Sequence, residues 1–501
     1  MTQPVHIRRL ATGVPGLDAI LGGGLPEFSF NLLTGPPGAG KTTLAHQLMF
    51  TLATPEQPAL FFTALSEPPW KMLRYQQQFS FFALDKIGSC IRFVHLSDEM
   101  AAGNFDQVLA RILVEVKATG PAFVFIDSFR AVLADTQQQD GSHTSLRRFT
   151  QQLGIALAGW QATTFLVGEY SPHSDPHPVF TVADGILALD QSVQRNSMVR
   201  KIQVLKMRGQ APSPGVHTLR ITRDGLTIFP SAVVPDDNST AAAAAASQDT
   251  TPVRTETRIP MGVPLLDEML GGGLPAGYSL LVAGPSGSGK TILATAFLAE
   301  GVRLGETGVI VAFEQTPSRS RTHTIDDMVR AGCLGLINTR LMDLSVDEIV
   351  QQMVQRITSM RATRVVIDSL SGFELAVAPT FSEDFRESLF RMVAVLSGMG
   401  VTVLMTSELE DRYTDLRFSP YGTAFLTDAI IVQRYIEVDS SLRRVMAVVK
   451  VRGSDHSNAI RRYEITPDGI VMGEPICHYE GLLGGRPMRT LETARMYKGA
   501  P

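Results

Sequence analysis

The sequence predicts an α/β protein made of two tandem domains, each a mostly parallel sheet with helices on both faces. Three observations predict it. The chain repeats itself at domain length, each repeat alternates short apolar strands with helix-length stretches, and each repeat places a glycine-rich loop between a strand and a helix. Length agrees: 501 residues fill two or more domains at roughly 100–200 residues each.

The repeat comes first, because it sets the architecture. Residues 12–26 read TGVPGLDAILGGGLP and residues 261–275 read MGVPLLDEMLGGGLP, identical at eleven of fifteen positions with an offset of 249. The next block keeps that offset, GPPGAGKTTLA at 35–45 against GPSGSGKTILA at 284–294. FVFIDS (123–128) recurs as RVVIDS (364–369), and LKMRG (205–209) as VKVRG (449–453). A unit of this size is too long for a solenoid repeat, so a whole domain is duplicated. The boundaries expected are 1–229 and 258–475. Between them, residues 230–257 are rich in Pro, Asp, Ser, Thr and Ala, which is linker composition. Six alanines there, Ala241–Ala246, could nucleate a short helix but are marginal alone. Residues 476–501 form a glycine-rich and then basic tail, expected as a helix or a frayed end.

Within each unit the elements follow from hydrophobic period. SFNLLTG (29–35) is a short apolar strand entering a turn, and TLAHQLMFTLA (43–53) has helical spacing. ALFFTAL (59–65), FVFID (123–127) and TTFLVG (163–168) are β-branched and aromatic runs of strand length. The second unit repeats the pattern with YSLLVAG, GVIVAFE, RVVID and VTVLMTS. Apolar strands separated by helices call for a sheet buried on both faces.

Composition bounds the function. Lys and Arg number 45 against 49 Asp and Glu, a formal net charge of −4, which lacks the electrostatic footprint of a strong nucleic-acid binder. Cys90, Cys333 and Cys477 are too scattered for a disulfide framework or a zinc site. The N-terminus has no apolar signal segment, and no apolar run is long enough to span a bilayer, so the chain reads as soluble and cytoplasmic.

The glycine-rich loops carry the chemistry. Gly35–Thr42 and Gly284–Thr291 both fit G-x-x-x-x-G-K-[ST], each between a strand and a helix. Gly35, Gly38 and Gly40, with Gly284, Gly287 and Gly289, let the backbone turn its N–H groups toward a phosphate at a helix N-terminus. Lys41 and Lys290 supply the charge opposite the β- and γ-phosphates. Thr42 and Thr291 offer hydroxyls to Mg²⁺, and Thr43 adds a further nucleotide contact. Asp127 and Asp368, each ending an apolar strand, are placed to hold the metal through water. The cofactors expected are ATP and Mg²⁺.

In tandem, these motifs resemble the KaiC-like group of the RecA superfamily. The resemblance covers nearly the whole chain. It rests on G-x-x-x-L-D-x-x-L-G-G-G-L-P ahead of the P-loop, I-D-S, a T/A-D-x-I segment and K-x-R-G, present in both halves, with F-E-x-T-P in the second. It implies two RecA-like P-loop NTPase domains stacked in a hexamer, with ATP held between neighbouring subunits. It also implies that Lys206 and Arg208, and Lys450 and Arg452, reach the γ-phosphate of an adjacent subunit. A cation supplied in trans would stabilise the charge that develops on the transferred phosphoryl group.

The resemblance places the water-orienting group after the strand that follows the P-loop helix. There the second half reads VAFEQTP, giving Glu314, and the first reads FTALSEPP, giving Glu67 two positions later. A two-residue shift on extended chain keeps the same face. The family typically carries paired glutamates here, and each half of this chain retains one. The family's clock proteins also autophosphorylate on a Ser/Thr pair ahead of the second T-D-x-I segment. In YGTAFLTDAII (421–431) the matching pair is Ala424-Phe425, which has no hydroxyl. Thr423, Ser419 and Thr427 are the alternative acceptors.

The functional reading is an ATP-hydrolysing hexameric ATPase that works as a nucleotide-driven regulatory switch, with protein partners. Autokinase activity of the clock type is the second reading. A RecA-like DNA recombinase or helicase motor is disfavoured by the charge and by the lack of a basic-aromatic stripe.

Overall fold

The structure, a computed structural model, describes residues 7–63, 69–96, 105–127, 151–156, 159–170, 178–194, 197–231, 257–313, 323–338, 345–377, 385–409, 426–438, 440–477, 479–483 and 488–489. The chain divides into two compact units, Met1–Ser231 and Ala232–Pro501.

In the first unit the elements that build the sheet and its main helices are β1 (Phe30–Thr34), α1 (Lys41–Leu52), β2 (Ala59–Thr63), β3 (Ile91–His95), α2 (Phe105–Thr119), β4 (Phe123–Asp127), β5 (Thr163–Gly168), β6 (Gly185–Gln194), β7 (Ser197–Met207), β8 (His217–Thr222) and β9 (Gly225–Phe229). Their order across the nine-stranded sheet is β3-β2-β4-β5-β1-β6-β7-β8-β9. The six strands from β3 to β6 are parallel, and β7, β8 and β9 continue antiparallel. The second unit repeats the arrangement with β10 (Ser279–Gly284), α3 (Lys290–Arg303), β11 (Gly308–Ala312), β12 (Leu334–Asn338), α4 (Val346–Met360), β13 (Arg364–Asp368), α5 (Phe385–Gly398), β14 (Thr402–Glu408), β15 (Ala429–Val438), β16 (Ser441–Val451), β17 (Arg461–Thr466) and β18 (Gly469–Pro475). Its order, β12-β11-β13-β14-β10-β15-β16-β17-β18, is the same.

Alternation along the central strands explains why they read as continuous apolar runs. Leu33, Phe61, Phe125 and Phe165 face α1, whose Leu44, Ala45, Leu48 and Met49 are buried with them. The neighbouring residues Leu32, Leu60, Phe62, Val124 and Leu166 face the opposite way, against Val108, Ile112 and Val116 of α2. With helices on both faces every position of β1, β2, β4 and β5 is buried. The second sheet is sandwiched likewise, between α3 on one face and α4 with α5 on the other.

The sequence reading named four strands per unit. The structure adds β3 and β12 at the outer edge and the four C-terminal strands of each unit. Of the tail expected as a helix or a frayed end, residues 476–477, 479–483 and 488–489 are described, and most of its basic stretch lies outside the described residues. Tyr479–Glu480 pairs antiparallel with Met488–Arg489, and Leu482 is buried against Ile436, Val438 and Val445. Apolar Ile476, Tyr479 and Leu482 give this stretch something to bury, which its glycines hid. Residues 232–256 lie outside the described residues.

Candidate nucleotide sites

Each glycine-rich loop leaves the central strand of its sheet and runs into a helix. Gly35 follows β1, and Gly40 caps α1 in the left-handed region at φ 103°. Gly289 caps α3 the same way at φ 98°. No side chain caps either helix, so the first N–H groups of each face the loop's concavity. The curl demands glycine. A Cβ on Gly35 would stand 1.9 Å from the Leu189 carbonyl oxygen, and one on Gly40 would stand 2.7 Å from Ile221 Cδ1. Gly38 and Gly287 hold φ of +80° and +74°. In the second unit a Cβ on Gly284 would meet Ser288 Oγ at 2.8 Å. This is a cradle lined by backbone, which fits a phosphate group.

The lysines fold back over their loops. Lys41 Nζ donates to the Pro36 carbonyl at 2.8 Å, and Lys290 Nζ donates to those of Gly284 and Pro285 at 2.9 and 2.8 Å. Burial lowers the pKa of both ammonium groups. Glu169 and then Asp127 oppose that at Lys41, as Glu408 and then Asp368 do at Lys290.

The predicted metal residues meet. Thr42 Oγ1 donates to Asp127 Oδ2 at 2.7 Å, and Thr291 Oγ1 donates to Asp368 Oδ2 at 2.8 Å. Both carboxylates are buried, at 2% and 8% exposure. Burial raises the Asp127 pKa, and the bond from Thr42 and the charge of Lys41 pull it back. A half-buried threonine hydroxyl on a buried carboxylate, beside a cationic loop, is a donor set that suits a hard divalent cation. Thr43 follows Thr42 on α1, half-buried.

Lys206, Arg208, Lys450 and Arg452 stand elsewhere. Gly185, at the start of β6, lies beside Asn31, four residues before Gly35. Four residues of strand span about 13 Å. Lys206 Nζ donates to the carbonyls of Phe180 and Thr181, both at 3.3 Å, and Arg208 pairs with Asp184 at 2.9 Å. In the second unit Lys450 Nζ donates to the Thr427 carbonyl at 2.7 Å, and Arg452 pairs with Asp428 at 3.3 Å. Both pairs therefore sit at the N-terminal edge of the strands, opposite the phosphate loop of their own unit. The two arginine side chains remain largely exposed, at 61% and 62%. Burial, and then the neighbouring arginine, lowers the pKa of Lys206 and Lys450.

Glu67 and Glu314 lie outside the described residues, as do Ser419, Thr423, Ala424 and Phe425. Thr427 is described and fully buried.

Two acidic residues beside the loops escaped the sequence reading. Glu169 follows β5, and Glu408 ends β14 level with Gly284. Leu409 N–H and Lys290 Nζ both donate to the Gly284 carbonyl, which puts the ammonium beside the end of that strand. In the first unit Glu169 lines a cavity of about 660 Å³ together with Gly35, Pro36 and Pro37. The signal was present as VGE at 167–169 and TSE at 406–408, a glutamate recurring at the C-terminal end of the strand next to the P-loop strand.

The family model described as "ATPase: KaiC" matches residues 10–233 and again residues 259–476. Among curated proteins, the chain is 27% identical over 500 residues to the circadian clock oscillator protein KaiC of Picosynechococcus sp., covering 96% of this chain and 93% of the relative. It is 27% identical over 501 residues to the circadian clock oscillator protein KaiC 1 of Synechocystis sp., covering 96% and 92%. It is also 27% identical over 517 residues to KaiC of Thermostichus vulcanus, covering 99% and 95%. Two matched domains, each with its own phosphate cradle, make the chain a P-loop ATPase, and it belongs to the KaiC family.

Proposed function

We propose that the protein is an ATP-driven switch that assembles as a hexameric ring, with each ATP held between two subunits. One observation carries the reading. In both units the Lys–Arg pair sits at the edge of the sheet opposite its own phosphate loop. A cation placed there is a strand length from its own loop and would serve a phosphate held by a neighbouring subunit, and a ring that repeats one head-to-tail contact would complete every site.

Within each site the glycine cradle and the helix N-terminus would bind the phosphates. Lys41 and Lys290 would neutralise the β- and γ-oxygens. Thr42 and Thr291, with Asp127 and Asp368 behind them, would hold Mg²⁺. The bound cation would polarise the phosphate oxygens and offset charge as the terminal phosphoryl group departs. Glu314 and Glu67 are assigned to orient the attacking water. Lys206, Arg208, Lys450 and Arg452 would stabilise the transition state across the interface. The domains proposed are 1–229 and 258–475, joined by the 230–257 linker, with 476–501 as tail.

The curated relatives are named as clock oscillator proteins, which supports a regulatory role with protein partners. The near-neutral charge supports the same class over a nucleic-acid motor. Among the described residues no helix is long and apolar enough to cross a membrane.

Light scattering with and without ATP, followed by turnover assays, tests the reading. ATP should raise the mass to six subunits. Lys41→Ala with Lys290→Ala should abolish that shift and lower turnover by roughly a hundredfold or more, the scale of losing an electrostatic stabiliser. A mass that ATP leaves unchanged would contradict it.

A further inference from the structure

The two nucleotide sites share their motif but differ one strand away from it. Thr406 on β14 lies beside Val282 of β10, and Val167 on β5 lies beside Leu33 of β1. Val282 and Leu33 each stand two residues before the first P-loop glycine, so Thr406 and Val167 hold the same place in the two sheets. On their other side, Met405 pairs with Ile367 and Leu166 pairs with Ile126, the residues just before Asp368 and Asp127. Each of the two is therefore next to its unit's buried carboxylate.

At that place the chemistry diverges. Thr406 is fully buried, and its Oγ1 donates to Asp368 Oδ1 at 2.5 Å, while Thr291 Oγ1 donates to Oδ2 of the same carboxylate at 2.8 Å. Both oxygens of Asp368 are thereby fixed. Val167 is equally buried and nearly the same shape, but it has no hydroxyl to give Asp127. Asp127 keeps the bond from Thr42.

We infer that Thr406 is a positioning residue that makes the second site the tighter of the two for the divalent cation. A carboxylate already anchored at both oxygens loses less freedom when it takes up a metal-bound water. Partners that orient a metal's direct ligands typically set affinity by about ten- to a hundredfold, and Thr406, which orients a carboxylate that reaches the metal through water, belongs at the lower end of that range. The inference rests on the assignment of Asp127 and Asp368 to the metal shell proposed above.

Mn²⁺ binding to the full-length protein, followed by electron paramagnetic resonance with an ATP analogue whose β,γ-bridge cannot be cleaved, tests it without turnover. The parent should show two classes of Mn²⁺ site. Thr406→Val should weaken the tighter class about tenfold. Thr406→Ser, which keeps the hydroxyl, should retain it. Val167→Thr should tighten the weaker class, a gain that a folding defect cannot mimic. Mn²⁺ affinities unchanged in both Thr406→Val and Val167→Thr would overturn the inference while leaving the metal assignment standing. A parent that binds no Mn²⁺ at either site would overturn that assignment and the inference with it.

Discussion

His46 and Thr295 occupy the same turn of the two P-loop helices, four residues after the threonine that faces the buried aspartate. Thr295 Oγ1 donates to the Thr291 carbonyl at 2.8 Å, and His46 Nδ1 lies 2.7 Å from the Thr42 carbonyl. His46 is fully buried and stacks on Phe61 at 4.6 Å between ring centroids. Burial pushes its pKa down from 6.5 to about 4. The unfolded chain takes up this proton near 6.5 and the folded chain only near 4, so in that window the unfolded state binds more protons. Stability is therefore full above pH 6.5 and falls as pH drops toward 4, by about 3 kcal/mol over the window. Urea unfolding at stepped pH should show a flatter acid limb in His46→Asn, and an unchanged limb would refute this. At this scale the sequence was legible where one motif holds all the partners. Lys41, Thr42, Lys290 and Thr291 come from eight-residue loops, and Asp127 and Asp368 from a repeated strand end. Thr406 was not legible, because what it touches is set by register between strands far apart in the chain, and the recurring glutamates of VGE and TSE, Glu169 and Glu408, gain meaning only from that same register.

The glycine turn that leaves β1 joins residue to element. Gly35 holds φ +144°, and an added Cβ would meet the Leu189 carbonyl on the neighbouring β6. Gly35→Ala should therefore push β1 and β6 apart at the phosphate loop. We expect a loss of about 2 kcal/mol, as for other residues forced into glycine-only backbone, together with weaker ATP binding in the first domain. Calorimetry and nucleotide titration would register it, and a parent-like melt with parent-like binding would contradict it. The parallel strands were legible because burial on both faces writes them as continuous apolar runs. The antiparallel ribbon was harder. β7 reads SMVRKIQVLKM, with Lys, Arg and Gln among its apolar residues, so its pattern is not that of a parallel core strand. Arg364 misleads in the opposite sense. It opens β13 as a charged flank in sequence, yet it is buried, bonded to Glu306 at 2.6 Å and to the carbonyls of Pro260 and Phe297.

At the scale of the molecule, duplication was the most legible feature, since identical loops at a fixed offset can be read without any structure. What the offset could not reveal is where the cations repeated in the two halves lie relative to the loops. The structure puts Arg208 and Arg452 on Asp184 and Asp428, which immediately precede β6 and β15, and Lys206 and Lys450 on backbone carbonyls just before them. Both pairs are a full strand length from their own P-loop. The proposed ring follows from that separation, and so does its most direct test. Lys290→Ala removes the phosphate-loop cation of the second domain, and Arg452→Ala removes the cation proposed to act across the interface, while the first domain stays intact in each to support assembly. Each variant alone should have lost the ATPase turnover of the second domain. Mixed in equal amounts and allowed to exchange subunits, they should recover about a quarter of it, because one interface in four then draws both intact halves. Turnover that stays at the average of the two separate variants would contradict catalysis shared between subunits.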